Sequence, residues 1–489
     1  MIFGQLMIFN LISEVIQDKV SVCESTRTAL ENCLRQLKCH FTWNLAEPGK
    51  SLDDFEDKVC NATEFQDNEF RTTVFNLLAY IEQQRGHSEA ALERLRQAEE
   101  LIQREHPDQA ETRSLVTWGN YAWVYYHLGR HADAQMYVDK VRRVCEKSRS
   151  PYRMESPALD FEEGWARLQC GGRHHERAKV CFEKALEKEP KNPEFASGLA
   201  IASYRLDTWL QPQNPIDPLR RAIQLNPNNQ YAKVLLALKL LKMNEEGEGD
   251  RLVEEALKGA PCSTDVLCGA AKLYQRKGAL DKAIELLRKA LEGMPNNASL
   301  HWHMGCLCRT KVLEMLQGTG KNESGNREKL QEAIGQAVHH LKRVDEANAD
   351  FPCVCSYLAC LYAQASQYDH AEHYFQKEFS KALSPGARQV LHLRYGNFQL
   401  YQMKSEDKAI HHFIQGVKID LESKEKEKMK NKLQKIALIR LSKNEADSIA
   451  LHLLAFLQEL SGDMRPAEEN PERRLDSGSF LCSASFAKE

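Results

Sequence analysis

Basic side chains in this sequence recur at spacings that would place them on one face of a helix. Lys272 and Arg276 are four residues apart, which is one helical turn. Aromatic residues accompany such cations along the chain. Ammonium and guanidinium groups neutralise phosphates, and aromatic rings stack on unpaired bases. This combination indicates the binding of a polyanion with flat faces, and single-stranded RNA fits that description best.

These two cations belong to a repeat of 34 residues. The stretch Thr264–Asn297 carries small residues where two packed helices approach each other, and the same frame returns at Gln230 and Ala298. Chance matches would not keep phase over three units. We predict one helix from about Thr264 to Lys277, a turn at Gly278 and a second helix that ends near Glu292.

A lone helical hairpin cannot bury its apolar face, so the repeat requires neighbours. Less regular units begin near Thr72, Leu115, Leu159, Pro193, Pro352, Val390 and Ser448. The sequence therefore predicts an all-α fold, a superhelical tetratricopeptide-repeat solenoid of about nine or ten helical hairpins. Two irregular stretches, Asp207–Pro218 and Gln317–Arg327, are expected to be connections outside the helices.

In such a solenoid, repeat positions 5, 9, 12 and 13 of each first helix face the concave side. Cations and aromatics dominate these positions, and Glu163 is the one acid among them. The residues selected in this way are Lys272, Arg276, Trp302, Arg309, Lys242, Tyr204, Arg205, Arg167, Trp123, Tyr126, His127, Arg394, Phe398 and Tyr401.

The pattern alone leaves two ligands open. The net charge of the whole chain is −3, so a basic surface must be a local segregation of charge. RNA and an acidic peptide are equally compatible with such a wall, and ordinary solvated charges are the third alternative. Salt dependence separates the first two, because neutralised phosphates make affinity fall steeply with salt.

Composition suggests a protein of a reducing compartment. Fifteen cysteines lie scattered at helix positions, as small buried apolar residues would, and no run is long and apolar enough to cross a bilayer. We expect a cytoplasmic protein. Residues 1–24 should be a disordered leader or an alternative start rather than a signal peptide, 25–461 the solenoid in N-terminal, middle and C-terminal subdomains, and 462–489 a disordered tail.

Sites for metals or catalysis are not indicated. His301, His303, Cys306 and Cys308 crowd one predicted helix, but alternate residues of a helix point about 200° apart, which does not suit a shared metal ion. Three His–His pairs, at positions 174–175, 339–340 and 411–412, are more typical of packing or surface residues. No phosphate loop or catalytic elbow occurs. We expect neither an enzyme nor a cofactor.

Several motifs resemble the interferon-induced proteins with tetratricopeptide repeats, from about Leu30 to the tail. They are CHFTWNL (39–45), NLLAY (76–80), SLVTWGNYAWVYYHLGR (114–130), AKVCFEKALE (178–187), YRLD (204–207) and AIHHF (409–413). SLDDFEDKV and FQLYQMKSEDKAIHHF are most similar to one branch of that family.

The resemblance implies a cytoplasmic, interferon-induced antiviral effector that binds RNA in a basic channel and interferes with translation. The branch implies a preference for AU-rich RNA without need of a particular 5′ end group, and a homodimer formed by exchange of helices. Other family members and a translation initiation factor are the implied partners. The rival hypothesis is a protein-interaction scaffold in innate immune or apoptotic signalling.

The resemblance also implies a set of RNA-binding residues. Arg205, Lys272, Arg276 and Arg309 fall in matching motifs and are also selected by the repeat positions. Lys58 and Lys428 rest on the resemblance alone. Gln275 stands where relatives carry a basic residue, which would weaken one contact.

Overall fold

The structure is a computed structural model that describes residues 27–45, 52, 55–56, 59, 69–146, 150–209, 215–318, 324–347, 351 and 353–462. Within these ranges the chain forms helices and no strand. The predicted all-α repeat fold is confirmed. Lys58, the leader assigned to residues 1–24 and, apart from Gly462, the tail assigned to residues 462–489 lie outside the described residues.

The helices follow one another along the chain with short connections. They are α1 (27–34), α2 (Glu69–Gln84), α3 (Ser88–Glu105), α4 (Ala110–Arg113), α5 (Leu115–His127), α6 (His131–Cys145), α7 (Pro157–Cys170), α8 (His175–Lys188), α9 (Pro193–Trp209), α10 (Ile216–Leu225), α11 (Gln230–Lys242), α12 (Glu246–Gly259), α13 (Thr264–Arg276), α14 (Leu280–Gly293), α15 (Ala298–Gly318), α16 (Ser324–Glu346), α17 (Val354–Gln364), α18 (Tyr368–Phe379), α19 (Pro385–Tyr401), α20 (Glu406–Lys418), α21 (Lys424–Lys443) and α22 (Ser448–Gly462). No helix among the described residues combines the length and the apolarity that a membrane span requires.

The turn that separates α13 from α14 has the geometry predicted from its glycine. Gly278 has a φ of +78°, a region that favours glycine. The amide of Ala279 donates to the carbonyl of Tyr274 at 2.9 Å, and that of Gly278 donates to Gln275 at 3.0 Å. These bonds satisfy carbonyls at the end of α13, so the helix stops one residue before the predicted end.

The chain divides into two compact units, Met1–Leu273 and Tyr274–Glu489. In the first unit, Phe182 of α8 is fully buried against two glycines, Gly164 of α7 and Gly198 of α9. A Cβ at Gly164 would come within 2.9 Å of the Phe182 ring, and a Cβ at Gly198 within 2.4 Å. The absence of a side chain at both positions lets neighbouring helices approach one large ring.

The second unit uses the same packing device. Phe413 of α20 is fully buried, and a Cβ at Gly396 of α19 would come within 2.4 Å of its ring. A Cβ at Gly305 of α15 would come within 2.8 Å of Leu341 in α16. In each hairpin, therefore, the glycine marks the face of the first helix that packs on the second helix.

Three sequence predictions about helix limits were wrong. Helices α9 and α10 extend into the expected loop 207–218, and α15 and α16 extend into the expected connection 317–327. The helix that starts at Ser448 is the second member of a hairpin with α21, and not the first member of a new unit. Leu433 and Leu453 are buried in one cluster, so the apolar face of α21 supplies this pairing.

Candidate nucleic-acid interface

A cavity of about 580 Å³ opens within the second unit, and residues of α15, α17, α19 and α21 line it. Its volume suits a small organic ligand or one part of a larger one. Four cations line it, namely Arg309, Arg394, Lys428 and Lys432. Among the described lining residues, Glu425 alone is acidic. The aromatic lining residues are Trp302, Tyr357, Phe375, Phe398 and Tyr401.

Helix periodicity explains why these residues meet. Arg394, Phe398 and Tyr401 are spaced by four and three residues, so they share one face of α19. Gly396 packs on Phe413 from a different face of that helix. The hairpin interface thus turns the cationic face of α19 toward the cavity.

Tyr357 holds both guanidinium groups of the cavity. The Cζ atom of Arg309 lies 4.3 Å from the Tyr357 ring centroid, and that of Arg394 lies 4.7 Å from it. Arg394 Nη1 also donates to Ser356 Oγ at 2.6 Å. Burial raises the pKa of Tyr357, although both guanidinium groups oppose the rise. The phenol therefore stays neutral, and the cation–π contacts orient the two arginines without neutralising them.

Trp302 contributes to the wall rather than to an open stacking surface. Its ring stacks on Tyr357, with a centroid distance of 5.7 Å and an interplanar angle of 9°, and on Phe351 at 5.4 Å. Only 7% of Trp302 is exposed. This tryptophan lines the cavity as its repeat position suggested, but its faces are occupied by other rings.

Tyr401 is the last residue of α19 and, unlike Trp302, is largely accessible, with 52% of its surface exposed. Lys432 Nζ donates to the Tyr401 hydroxyl at 3.0 Å and lies 4.9 Å from the ring centroid. Lys428 is exposed, four residues before Lys432 on α21. Two ammonium groups and one accessible aromatic ring thus meet at the rim.

Arg205 in the first unit is half-buried in α9. Its Nη1 donates to the carbonyl oxygen of Leu168 at 2.7 Å. It also hydrogen-bonds to Tyr231, whose pKa is raised by burial. These two neutral partners position the guanidinium within the first unit.

Arg167 behaves differently, and its selection as a groove cation was wrong. Arg167 Nη2 lies 2.7 Å from Glu163 Oε1, and its side chain is only 9% exposed. The pair lies four residues apart on α7, a spacing at which opposite charges meet on a helix. The one acid of the predicted wall therefore neutralises one of the predicted cations.

Lys272 and Arg276 lie four residues apart on α13, as predicted. Lys272 and the neighbouring Gln275 are half-buried, whereas Arg276 is exposed. The structure brings Arg309 and Lys428 into one cavity, which the sequence did not reveal.

Two of the aromatic residues predicted for the groove in the first unit, Trp123 and Tyr126, are partly covered by an earlier segment of the chain, whereas His127 stays exposed. Phe41 stacks on Trp123 at a centroid distance of 6.0 Å and also contacts His127. The Tyr126 hydroxyl donates to Glu31 Oε2 at 3.1 Å. Residues of segment 27–45 thus occupy part of the surface that repeat position assigned to a ligand, so the prediction of open aromatics was wrong for Trp123 and Tyr126.

The CHFTWNL motif lies within segment 27–45 and takes part in the same packing against α5. His40 is fully buried, and Asn120 Nδ2 lies 3.1 Å from its Nδ1, while burial lowers its pKa to about 3. A Cβ at Gly119 would come within 2.8 Å of the Cys39 Cβ. Two of the most distinctive motifs, 39–45 and 114–130, therefore pack against each other and have a structural role.

One histidine from each of the sequence pairs 339–340 and 411–412 packs against a histidine of the neighbouring helix. His301 Nδ1 and His340 Nδ1 are 2.9 Å apart, and His392 Nδ1 and His412 Nδ1 are 3.2 Å apart. Burial lowers the pKa of His340, His392 and His412 to about 4, so these three rings are neutral near pH 7. No group of three or more His, Cys, Asp or Glu side chains in the described ranges is placed to hold a metal ion.

The rule based on repeat positions did not select Tyr357 and Lys432, although both residues line the cavity. The sequence contained a signal for Lys432, because this residue follows Lys428 by one helical turn in a lysine-rich helix. Tyr357 had none, since its importance comes from two arginines on other helices.

Comparison with known proteins gives consistent matches. The family model described as the Psidin N-terminal TPR repeats region matches residues 211–322. The chain is 67% identical over 466 residues to interferon-induced protein with tetratricopeptide repeats 2 of Homo sapiens, covering 94% of this chain and 98% of that protein. It is 44% identical over 455 residues to the antiviral innate immune response effector IFIT1 of Homo sapiens, covering 91% of this chain and 95% of that protein.

Solved structures agree with these matches. A monomeric mutant of IFIT1 with Gppp-AAAA has a TM-score of 0.76 and 42% identity, covering 89% of this chain and 97% of that chain. The human IFIT1 dimer with m7Gppp-AAAA has a TM-score of 0.72 and 41% identity, covering 89% of this chain and 96% of that chain.

Proposed function

The chain belongs to the family of interferon-induced proteins with tetratricopeptide repeats, and from this premise we propose that it is an antiviral RNA-binding protein without enzymatic activity. Its ligand is single-stranded, AU-rich RNA. By holding viral transcripts it inhibits viral replication and translation. The observation that carries this proposal is the cavity of the second unit, where the described lining has four cations, one acid and an exposed tyrosine.

The electrostatics of the site support a polyanion. Arg309 and Arg394 are held by a neutral tyrosine, and Lys428 is exposed on α21. Their charges therefore remain available to phosphates. Arg205, Lys272 and Arg276 belong to the same proposal, as cations that repeat position and motif both select, and Lys58 belongs to it by motif. IFIT1, to which the chain is similar, has been solved with capped RNA.

The proposal extends to location and partners. A cytoplasmic site of action suits the antiviral role and the described cysteines, which form no disulfide. We infer a homodimer formed by helix exchange, contacts with other members of the family and contact with a translation initiation factor. The similar human IFIT1 has been solved as a dimer, which supports self-association.

The test is binding of the full chain to labelled AU-rich single-stranded RNA across a salt series. Wild-type affinity should fall steeply with salt, because each neutralised phosphate of a single strand contributes about 0.7 to the slope of log affinity against log salt. Arg276→Glu and Lys428→Glu should each weaken binding and make the slope shallower. Both residues are exposed, so reversal of their charge leaves the core intact.

The matched control is Lys408→Glu, which makes the same change of charge at an exposed residue of α20 outside the cavity lining. It should leave the slope within error of the wild type. An RNA with a 5′-hydroxyl should bind as well as one with a 5′-triphosphate, and a GC-rich RNA more weakly. Absence of salt-sensitive RNA binding by the wild-type chain would refute the proposal.

A second candidate is a protein-interaction scaffold in innate immune or apoptotic signalling. The observation in its favour is a group of exposed apolar side chains on the last hairpin, formed by Leu438, Ile439, Ile449 and Leu451. A partner held by such residues would bind with shallow salt dependence, so the same salt series separates the two functions.

A further inference from the structure

The most exposed aromatic ring in the cavity lining is that of Tyr401. It is 52% exposed, whereas Trp302 and Tyr357 are 7% and 9% exposed. Large aromatic side chains are usually well buried, because leaving their apolar surface in water is unfavourable. Tyr401 also has a fixed position, since it ends the long helix α19, whose Tyr395 and Phe398 are buried. Its ring therefore has an open face at the rim of a cationic cavity.

Lys432 lies beside this ring and leaves part of its surface accessible. Its Nζ atom is 3.0 Å from the hydroxyl oxygen and 4.9 Å from the ring centroid, so the ammonium lies toward the hydroxyl end. Lys428 lines the same rim from the preceding turn of α21. Side chains at this spacing on a helix are neighbours, with about 5–6 Å between their Cβ atoms.

Glu425 restricts where an anion can lie. It precedes Lys428 by three residues on α21 and lines the cavity. The two lysines and this carboxylate together carry a net charge of +1. A phosphate is therefore attracted to the Lys428–Lys432 side, away from Glu425, and this is the side on which Tyr401 lies.

We propose that Tyr401, Lys428 and Lys432 form a single-nucleotide clamp, in which one unpaired base stacks on the Tyr401 ring while the two lysines bind its flanking phosphate. This inference rests on the proposed RNA-binding function and assigns a contact within it. The clamp reads no base edge, so it holds any nucleotide of a single strand and excludes a base-paired one. Arg309 and Arg394 line the same cavity, where they bind the RNA strand beyond the clamped nucleotide.

Two substitutions separate stacking from charge. Tyr401→Ala should weaken binding of the full chain to labelled AU-rich single-stranded RNA by roughly 5-fold to 150-fold, the range expected for one lost base–aromatic stack. Its salt slope should stay near that of the wild type. Tyr401→Phe keeps the ring and loses only the hydroxyl bond to Lys432, so it should stay within about twofold of wild type.

Substitutions that change the charge of Lys432 and Glu425 should alter RNA affinity in opposite directions. Lys432→Glu should weaken binding and lower the salt slope, whereas Glu425→Gln should tighten binding, because it removes the one acid among the described lining residues. Lys408→Glu is again the control for a change of charge. Circular dichroism should show unchanged helicity for all of these variants, since the substituted residues lie at the surface or rim.

Photocrosslinking locates the base directly. RNA that contains 4-thiouridine should crosslink to the wild-type chain on the tryptic peptide that contains Tyr401, and Tyr401→Ala should lose that crosslink. If the wild-type chain binds no RNA, the proposed function fails together with the clamp. If it binds RNA with steep salt dependence but Tyr401→Ala binds equally well and no crosslink maps there, the clamp alone is overturned. Tyr401-dependent capture of polyglutamate, with no competition by RNA, would overturn it in favour of an acidic peptide.

Discussion

At the scale of single residues, burial and partners decide which charges can act. Arg167 and Arg309 were selected by the same repeat rule, but Arg167 is paired with Glu163, while Arg309 lies on the face of a neutral tyrosine. A carboxylate cancels a guanidinium charge, whereas an aromatic ring only orients it. The identity of the neighbour therefore separates a structural arginine from a binding one.

Glu162 gives a prediction at this scale. It is buried, Asn76 Nδ2 donates to its Oε1 at 2.8 Å, and burial raises its pKa to about 7. A carboxyl group whose pKa is higher in the folded state stabilises the fold below its unfolded pKa, and this stability is lost as pH rises through the folded value. The free energy of unfolding should therefore fall between about pH 4.5 and pH 7 by roughly 3 kcal/mol from this group.

Glu162→Gln should remove that part of the pH dependence, because the amide is neutral and its oxygen still accepts from Asn76. Urea unfolding at a series of pH values measures the difference between variant and wild type, so other titrating groups cancel. We expect the variant to be more stable than wild type at pH 8 and similar at pH 4. Glu187→Gln, at an exposed position, is the control. Parallel pH profiles for the Glu162 variant and the wild type would contradict this reasoning.

At the scale of helices, glycines at the hairpin interfaces set which face of each helix is left for a ligand. Gly396 packs on Phe413 from one face of α19, and Arg394 and Tyr401 project from another. The pairing of α21 with α22 likewise brings Lys428 and Lys432 to the cavity rim. Packing between helices thus positions residues that the periodicity of one helix could only assign to a face.

A pair of glycine substitutions tests this packing. Gly396→Ala would place a Cβ 2.4 Å from the Phe413 ring, and overpacking of this kind should lower the free energy of unfolding by about 1–3 kcal/mol. Gly335→Ala in α16 meets no atom within 4 Å, so the better helix propensity of alanine should raise stability by about 0.5–1 kcal/mol. Guanidinium unfolding of both variants should show these opposite signs. Equal effects on the free energy of unfolding would mean that the contact with Phe413 does not limit the size of the side chain at position 396 of α19.

At the scale of the whole molecule, the chain is two compact units built from one kind of repeat, and its described part depends on no disulfide. Twelve described cysteines are thiols, and burial raises the pKa of Cys39 and Cys306 to about 12. A thiol with so high a pKa is unreactive at neutral pH, because the thiolate is the nucleophile. The described part of the fold therefore does not rely on oxidised cysteines.

Two measurements check this property. The midpoint of thermal unfolding should be the same with and without a reducing agent, because no covalent crosslink constrains the described residues. Thiol labelling of the native chain should be fastest at Cys262 among the described cysteines, since Cys262 is the exposed one. Cys262→Ser should remove that fast phase. Rapid labelling of Cys39 in the native chain would instead show that segment 27–45 opens from α5.

Sequence alone determined the fold class and much of the helix pattern. Periodicity and glycine placement are local properties, so the 34-residue frame predicted α13, the turn at Gly278 and α14 to within about a residue. The spacing of Arg394, Phe398 and Tyr401 likewise assigned them to one face. The pairing of Arg167 with Glu163 was also within reach, because opposite charges four residues apart meet on a helix.

Only the tertiary structure decided which of those faces stay open. Phe41 covers Trp123 and Glu31 holds Tyr126, although these residues are far apart in the chain. Tyr357 gathers two arginines from other helices, and α22 pairs with α21 through buried leucines. These contacts join distant segments, and the free energy of such contacts depends on the geometry of packed helices. Periodicity specifies the face on which a residue lies, whereas packing specifies what lies against that face.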